Sequence, residues 1–153
     1  MKKFILFFLI AFVSVSASYA SDTTGRASTF AGQIKSYLRS EGYAPDVDSD
    51  NDIFFKYEGK KYYISVENYD NGVYVKTFRF VNGDDYSMSA LCKAANEAQR
   101  SYKFIRIDVL DNKGVSIGVC QYFSTFTTYK TIFSDMLTVI NSGFDALAEA
   151  LPD

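Results

Sequence analysis

The sequence predicts an α+β fold: one domain of order α-β-β-β-α-β-β-α, an antiparallel sheet packed with helices. Three observations carry this. Apolar residues recur at helical spacing near the start, the middle and the end of the chain. Between these stretches lie runs of β-branched and aromatic residues joined by short Gly-containing connections, the signature of hairpins. With 153 residues, 48% of them hydrophobic and 22% charged, the chain suits one globular domain and is too apolar for a disordered one.

The first twenty residues are expected to lie outside that fold. Met1-Lys2-Lys3 is a positive n-region, Phe4 to Val15 an apolar core, and Ser18-Tyr19-Ala20 a small-residue cleavage site. Together they read as a secretory signal peptide cut after Ala20. The rival reading, an uncleaved anchor, needs ~20 apolar residues to span a bilayer, and this core is shorter. No Cys adjoins the cleavage point, so lipid attachment there has no acceptor. The expected location is periplasmic or secreted, with no membrane attachment after cleavage. Loss of Lys2 and Lys3 leaves 14 basic against 18 acidic residues, about −4 overall. No later stretch clusters Lys and Arg, so the footprint of a nucleic-acid or anionic-membrane binder is missing.

Residues 21–28 are small and polar and read as a flexible N-terminus, with the domain proper over 29–153. Phe30, Ala31, Ile34, Tyr37 and Leu38 then share one helical face, and Gly42 closes the helix in a left-handed cap, followed by Pro45. Ile53 to Tyr57, Lys61 to Asn68 and Val73 to Val81 read as strands, joined through Glu58-Gly59-Lys60 and Asp70-Asn71-Gly72. Ser87 is placed to cap a second helix whose stripe is Met88, Leu91, Cys92, Ala95, Ala98 and Tyr102. Lys103 to Leu110 and Val115 to Phe123 form another hairpin around Asp111-Asn112-Lys113-Gly114. Phe133, Leu137, Ile140, Phe144, Leu147 and Leu151 define a long final helix, with Asn141-Ser142-Gly143 as a candidate kink.

That order, and several local runs, resemble the YbjN-like family, which shares its element order with type III secretion chaperone-like proteins. Tyr37-Leu38-Arg39-Ser40-Glu41-Gly42-Tyr43 is similar to the end of the family's first helix, and Asp50-Asn51-Asp52-Ile53-Phe54-Phe55 to the acidic turn entering its first strand. Glu58-Gly59-Lys60-Lys61-Tyr62-Tyr63 resembles its first hairpin. Asn96-Glu97-Ala98-Gln99 stands where the family tends to carry Asn-x-x-Asn, with Gln99 replacing the second Asn, followed by Lys103-Phe104 opening the next strand. The resemblance spans about residues 30–151. It implies a non-catalytic module that regulates, scaffolds or binds protein segments, commonly as a dimer, whereas the signal peptide departs from the family's usual cytosolic setting.

Chemistry is limited by what is missing. The chain has no His, which removes imidazole bases, Ser/His/Asp triads and His-ligated zinc, and two cysteines cannot build a four-cysteine metal site. No cofactor, resident metal or catalytic residue is expected. Asp46, Asp48 and Asp50 fall at positions 1, 3 and 5 of an EF-hand-like series, but position 6 is Asn51 instead of Gly and position 12 is Tyr57 instead of Glu, so an acidic turn is the plainer reading. Glu67 and Asp108 are the one carboxylate pair that could face each other across a sugar, although Lys56, Lys76 and Arg106 offer ordinary ion-pair partners. Tyr57, Tyr62, Tyr63, Tyr69 and Tyr74 suit stacking on rings, but more simply suit a sheet. Asn96 is read as tying a neighbouring loop or strand end.

Alternation assigns Ile64, Val66, Ile105, Ile107, Val109, Ile117 and Val119 to a buried sheet face. The opposite face mixes Phe54, Tyr63, Phe104 and Tyr122 with Lys56, Glu67, Arg106 and Asp108, with small Ser116 and Gly118 between. The strand Val73 to Val81 fits either orientation, because Tyr74, Phe78 and Phe80 compete with its valines for the core. Such a mixed face is either an interaction surface or a face half-covered by the middle helix. Phe54, Tyr63, Tyr122 and Arg106 are the candidate partner-binding residues. Cys92 and Cys120 are either a disulfide, which requires the second helix to pack on the mixed face, or two separate thiols. The expected function is an exported, non-enzymatic module that binds a protein or peptide partner, chaperone-like or regulatory, as a homodimer. The alternative is a binding module for a glycan or small hydrophobic ligand.

Overall fold

The computed structural model describes residues 23–152. The signal peptide read over residues 1–20 lies outside them. Three helices, α1 (Thr23–Ser40), α2 (Met88–Ser101) and α3 (Phe126–Ala150), pack with six strands: β1 (Asp46–Val47), β2 (Ile53–Tyr57), β3 (Lys60–Tyr69), β4 (Gly72–Asn82), β5 (Arg106–Val109) and β6 (Gly114–Phe123). The strands form one antiparallel sheet of order β1-β2-β3-β4-β6-β5. The α+β reading therefore holds, with β1 as an added two-residue edge strand.

The helix boundaries follow local chemistry. Gly42 sits at φ +87, and the Gly42 and Tyr43 amides donate to the Arg39 and Leu38 carbonyls, closing α1 as a Schellman cap. The Ser87 hydroxyl accepts from the Ala90 amide at 3.1 Å and opens α2. The start of α1 corrects the sequence reading: residues 23–28 are helical, not flexible. A contact distant in sequence helps hold this start, because the Ala27 amide donates to Asn68 Oδ1 at 2.8 Å from the end of β3. Nor do Asn141-Ser142-Gly143 interrupt α3, which is helical throughout. Gly143 serves close packing instead, since a Cβ there would come within 3.0 Å of Ile105 and Ile117 side-chain atoms.

All three helices cover the same face of the sheet. One core joins α1 and the first part of α3 to Ile53, Phe55, Tyr62, Ile64, Val73, Val75, Val119 and Phe123. A second joins α2 and Leu147 to Ile105, Val115 and Ile117. The predicted inner face is thus real, with Val66, Ile107 and Val109 partly buried against these cores. Register also settles β4: Ile64 pairs with Thr77 and Val66 with Val75, so Val73, Val75, Thr77, Arg79 and Val81 point inward. Tyr74, Phe78 and Phe80 point outward.

Three buried polar groups were not anticipated. The hydroxyls of Thr77 and Tyr129 are buried without a hydrogen-bond partner, and burial pushes the Tyr129 phenol well above its ordinary range. Arg79 is only 9% exposed and has no carboxylate partner among the described residues. Its Nη1 donates to Asn141 Oδ1 at 2.7 Å, the same oxygen that accepts from Tyr62 Oη at 2.8 Å. The guanidinium carbon lies 4.3 Å from the Phe144 ring centre and 5.3 Å from that of Tyr62, so two aromatic faces stand where a counter-ion would.

The disulfide expectation fails on this packing. The stripe of α2 that meets the core is Leu91, Ala94, Ala95 and Ala98, which leaves Cys92 exposed on the other side. Cys120 alternates with the inward Val119 and lies on the uncovered sheet face, so both thiols are free.

Candidate interaction surface

Among the described residues no helix packs on the outer sheet face. Its composition follows from strand alternation: each residue between two core residues must point away from the helices. Cross-strand register then fixes which outward residues meet. Phe54 pairs with Tyr63, Tyr63 with Phe78, Phe78 with Gly118, and Gly118 with Arg106, giving one transverse row across five strands. Three of the four residues singled out from sequence, Phe54, Tyr63 and Arg106, fall on this row. Tyr122 does not; it pairs with Tyr74 two rows away, roughly 13 Å along β6 at about 3.4 Å per residue.

The row is an aromatic cluster with cations set into it. Tyr63 and Phe78 stack at 5.5 Å between ring centres, and Phe80 meets both edge-on at 5.7 and 5.3 Å. Lys61 Nζ sits 3.9 Å from the Phe54 centroid and 4.7 Å from that of Tyr63, while Lys76 Nζ is 4.7 Å from Phe78. Gly118 makes this possible, because a Cβ there would lie 2.6 Å from Phe78 Cβ. Phe78 is buried by its neighbours although it faces outward, while Phe80 remains 45% exposed and Tyr122 42% exposed. Tyr122 meets Tyr69 edge-on at 6.0 Å, a second aromatic patch at the far end of the face.

Asp108 organises the charged side. Its carboxylate accepts from Lys76 Nζ at 3.1 Å and Arg106 Nε at 2.8 Å. Partial burial works to raise the Asp108 pKa, but the hydrogen bonds and charges of Arg106 and Lys76 outweigh it and hold the carboxyl below its ordinary value. Beside this group, the neighbouring Cys120 thiol is the largest influence that holds the Tyr74 phenol above its ordinary value, followed by partial burial.

The remaining sequence candidates separate. Glu67 shares a row with Tyr74 and Tyr122, whereas Asp108 pairs with Ser116, so the two carboxylates stand three rows apart, roughly 20 Å along the strands. That is too far for a glycosidase pair, which needs about 5 to 9.5 Å. Tyr62 is core, Tyr57 is half-buried on the inner face, and Tyr63, Tyr69 and Tyr74 face outward. Phe104 is 80% exposed but lies before β5 instead of within the row. Asp48 caps its own turn: one carboxylate oxygen accepts from the Asp50 and Asp52 amides at 3.0 Å each, and Asn51 takes the left-handed conformation at φ +65. Among the described residues no group of three or more His, Cys, Asp or Glu is spaced to hold a metal ion, and no helix is long and apolar enough to cross a membrane. Asn96 is exposed on α2, and the tie to the sheet comes from Gln99, whose Oε1 accepts from the Ile107 amide at 3.0 Å.

Sequence reasoning missed Lys61 as a member of the face and left Phe78 and Phe80 open between the two faces. The signal was present in the alternation of Lys61 with the core residue Tyr62, but β4 was apolar on both sides and gave no orientation by itself.

An antiparallel sheet that the described helices cover on one face defines a small α+β module. The chain belongs to the YbjN family: residues 31–152 match that family's model, described as "Putative bacterial sensory transduction regulator". Its fold is similar to that in "Crystal structure of YbjN, a putative transcription regulator from E. coli", with a TM-score of 0.51 and 14% identity over 78% of this chain and 93% of that one. No curated protein matches the sequence.

Proposed function

We propose that this chain is an exported, non-enzymatic regulatory or chaperone-like module that binds a protein or peptide segment on its outer sheet face, as a homodimer or with a partner. The observation that carries this reading is the one-sided covering of the sheet: three helices share the inner face, and the outer face keeps Phe54, Tyr63, Phe80 and Tyr122 beside Lys61, Lys76 and Arg106. Aromatic and Arg side chains of this kind dominate the energy of protein contacts. The family description points to regulation, and the charge of about −4 left after loss of Lys2 and Lys3 favours protein contacts over nucleic acid. Export rests on residues 1–20, and intact-mass measurement of the envelope fraction reads it directly: cleaved protein begins at Ser21.

Light scattering coupled to gel filtration tests the contact. The full mature chain is expected to run as a dimer or with a bound partner. Tyr63→Asp and Tyr122→Asp are expected to return it to monomer with an unchanged circular dichroism spectrum. A wild type that is monomeric and partner-free, or variants that associate as before, would contradict the proposal.

A further inference from the structure

A second candidate site lies away from the outer face, at the end of the molecule where α1, the β3–β4 turn and the start of α3 meet. Helical spacing creates one wall: Arg26, Thr29, Phe30 and Gln33 follow one another at i, i+3, i+4 and i+7 and so line one face of α1. Opposite stand Phe123 and Phe126, which with Phe30 form an aromatic floor; the Phe30 and Phe126 rings meet edge-on at 5.6 Å. Gly72 lets the turn sit tightly against β6, since a Cβ there would meet the Phe123 carbonyl oxygen and lie 2.6 Å from the Tyr122 ring. The cavity is open to solvent on one side and has a volume of about 540 Å³, within the ~300–1,000 Å³ range of small-molecule sites.

The charge of this cavity has one sign. None of the described residues lining it is Asp or Glu, and its one ionised side chain is Arg26. Among the described residues, Arg26 Nη1 donates to the Asp70 carbonyl at 3.4 Å, and the guanidinium carries further donors that can face a ligand. Ser124 and Phe126 bring the positive end of the 25-residue helix α3 to the same cavity. The Thr29 hydroxyl and the Gln33 amide add neutral donors. An aromatic floor and a positive rim, with no carboxylate among the described lining residues, together select a ligand with an apolar body and a carboxylate at one end.

We infer that this cavity binds an apolar carboxylate, either a free small acid or the C-terminus of a peptide ending in an apolar residue. The site shares neither Tyr63 nor Arg106 with the outer face, so its fate is separable from that of the proposed function. It supplies what a sensory regulator needs, a place for a small signal distinct from the surface that meets a partner.

The test is competition against the fluorescent apolar anion anilinonaphthalene sulfonate on the full mature chain, with folding followed by circular dichroism. 4-Phenylbutyrate is expected to displace the dye saturably, and 4-phenylbutanol and 4-phenylbutylamine are expected to compete about tenfold more weakly or not at all. Arg26→Gln should weaken phenylbutyrate by about fivefold while leaving the alcohol unchanged. Thr29→Trp, which fills the cavity, should abolish both, and Arg106→Gln on the outer face should change neither. A short peptide ending in Phe as the free acid, compared with its amide, separates the two sources: selective competition by the free acid supports a peptide terminus, and competition by phenylbutyrate alone supports a small acid. Equal competition by acid and alcohol, no saturable displacement by any acid, or a loss of binding that follows Arg106→Gln instead of Arg26→Gln would each overturn the inference.

Discussion

Arg79 shows how a single residue can escape a pattern. In sequence its strand fits either orientation, and register turns Arg79 inward, where Asn141 and two aromatic rings take the place of a counter-ion. The Asn141 oxygen therefore serves two buried donors at once, and nothing in the spacing of residues 79 and 141 announces it. Removing that acceptor leaves a charged and a neutral donor unpaired, each costing about 1–3 kcal/mol. Asn141→Ala is expected to destabilise the fold by roughly 2–4 kcal/mol in urea unfolding. In an Arg79→Met background the same change should cost at least about 1 kcal/mol less, because only Tyr62 then loses its partner. Equal costs in both backgrounds would show that the two donors are not coupled. Asp108 was legible as an ion-pairing residue, and two of the three partners offered by the sequence, Lys76 and Arg106, are the ones it takes. Its pKa in the folded chain lies below the unfolded value, so the stability it contributes is present above about pH 4 and is lost as pH falls through the depressed folded value. Wild type should exceed Asp108→Asn in stability by no more than about 1 kcal/mol near neutrality, since the pair is partly exposed, and the gap should close in strong acid. A gap independent of pH would contradict this.

Elements were legible where local chemistry decides them. The Gly42 cap and the Ser87 cap need only neighbours in sequence, and both form as expected. The start of α1 was not legible, because Thr23 to Ser28 carry no apolar periodicity and one fixing contact, Asn68, is 41 residues from Ala27. β1 escaped for a similar reason: two residues after Pro45 are too few for a pattern and form a strand by pairing with β2. β5 is an edge strand of four residues, and edges invite unwanted pairing. Gln99 answers this by occupying the Ile107 amide. Gln99→Ala is expected to speed hydrogen exchange at the Ile107 amide selectively, by about fivefold or more, while the amides of β4 stay protected. Unchanged exchange at Ile107 would remove that role.

At the scale of the whole molecule, alternation identified two sheet faces but could not say which one the helices would leave open, since α2 had an apolar stripe able to meet either. Packing decided it: Ala94, Ala95 and Ala98 let α2 lie close beside α3 and over β5 and β6 on the inner face. The outer face is then open from Phe54 to Arg106, and Cys92 and Cys120 are kept apart by the same arrangement. The measurement that bears most directly on this surface as the working one is photo-crosslinking in the native envelope, with benzoylphenylalanine placed in turn at Phe80 and Tyr122 on the outer face and at Lys35 and Thr131 on the helices. Adducts of one defined mass from positions 80 and 122, absent from positions 35 and 131, are the expected result. Adducts confined to the helical positions, or none from the outer face while the protein remains folded, would contradict it.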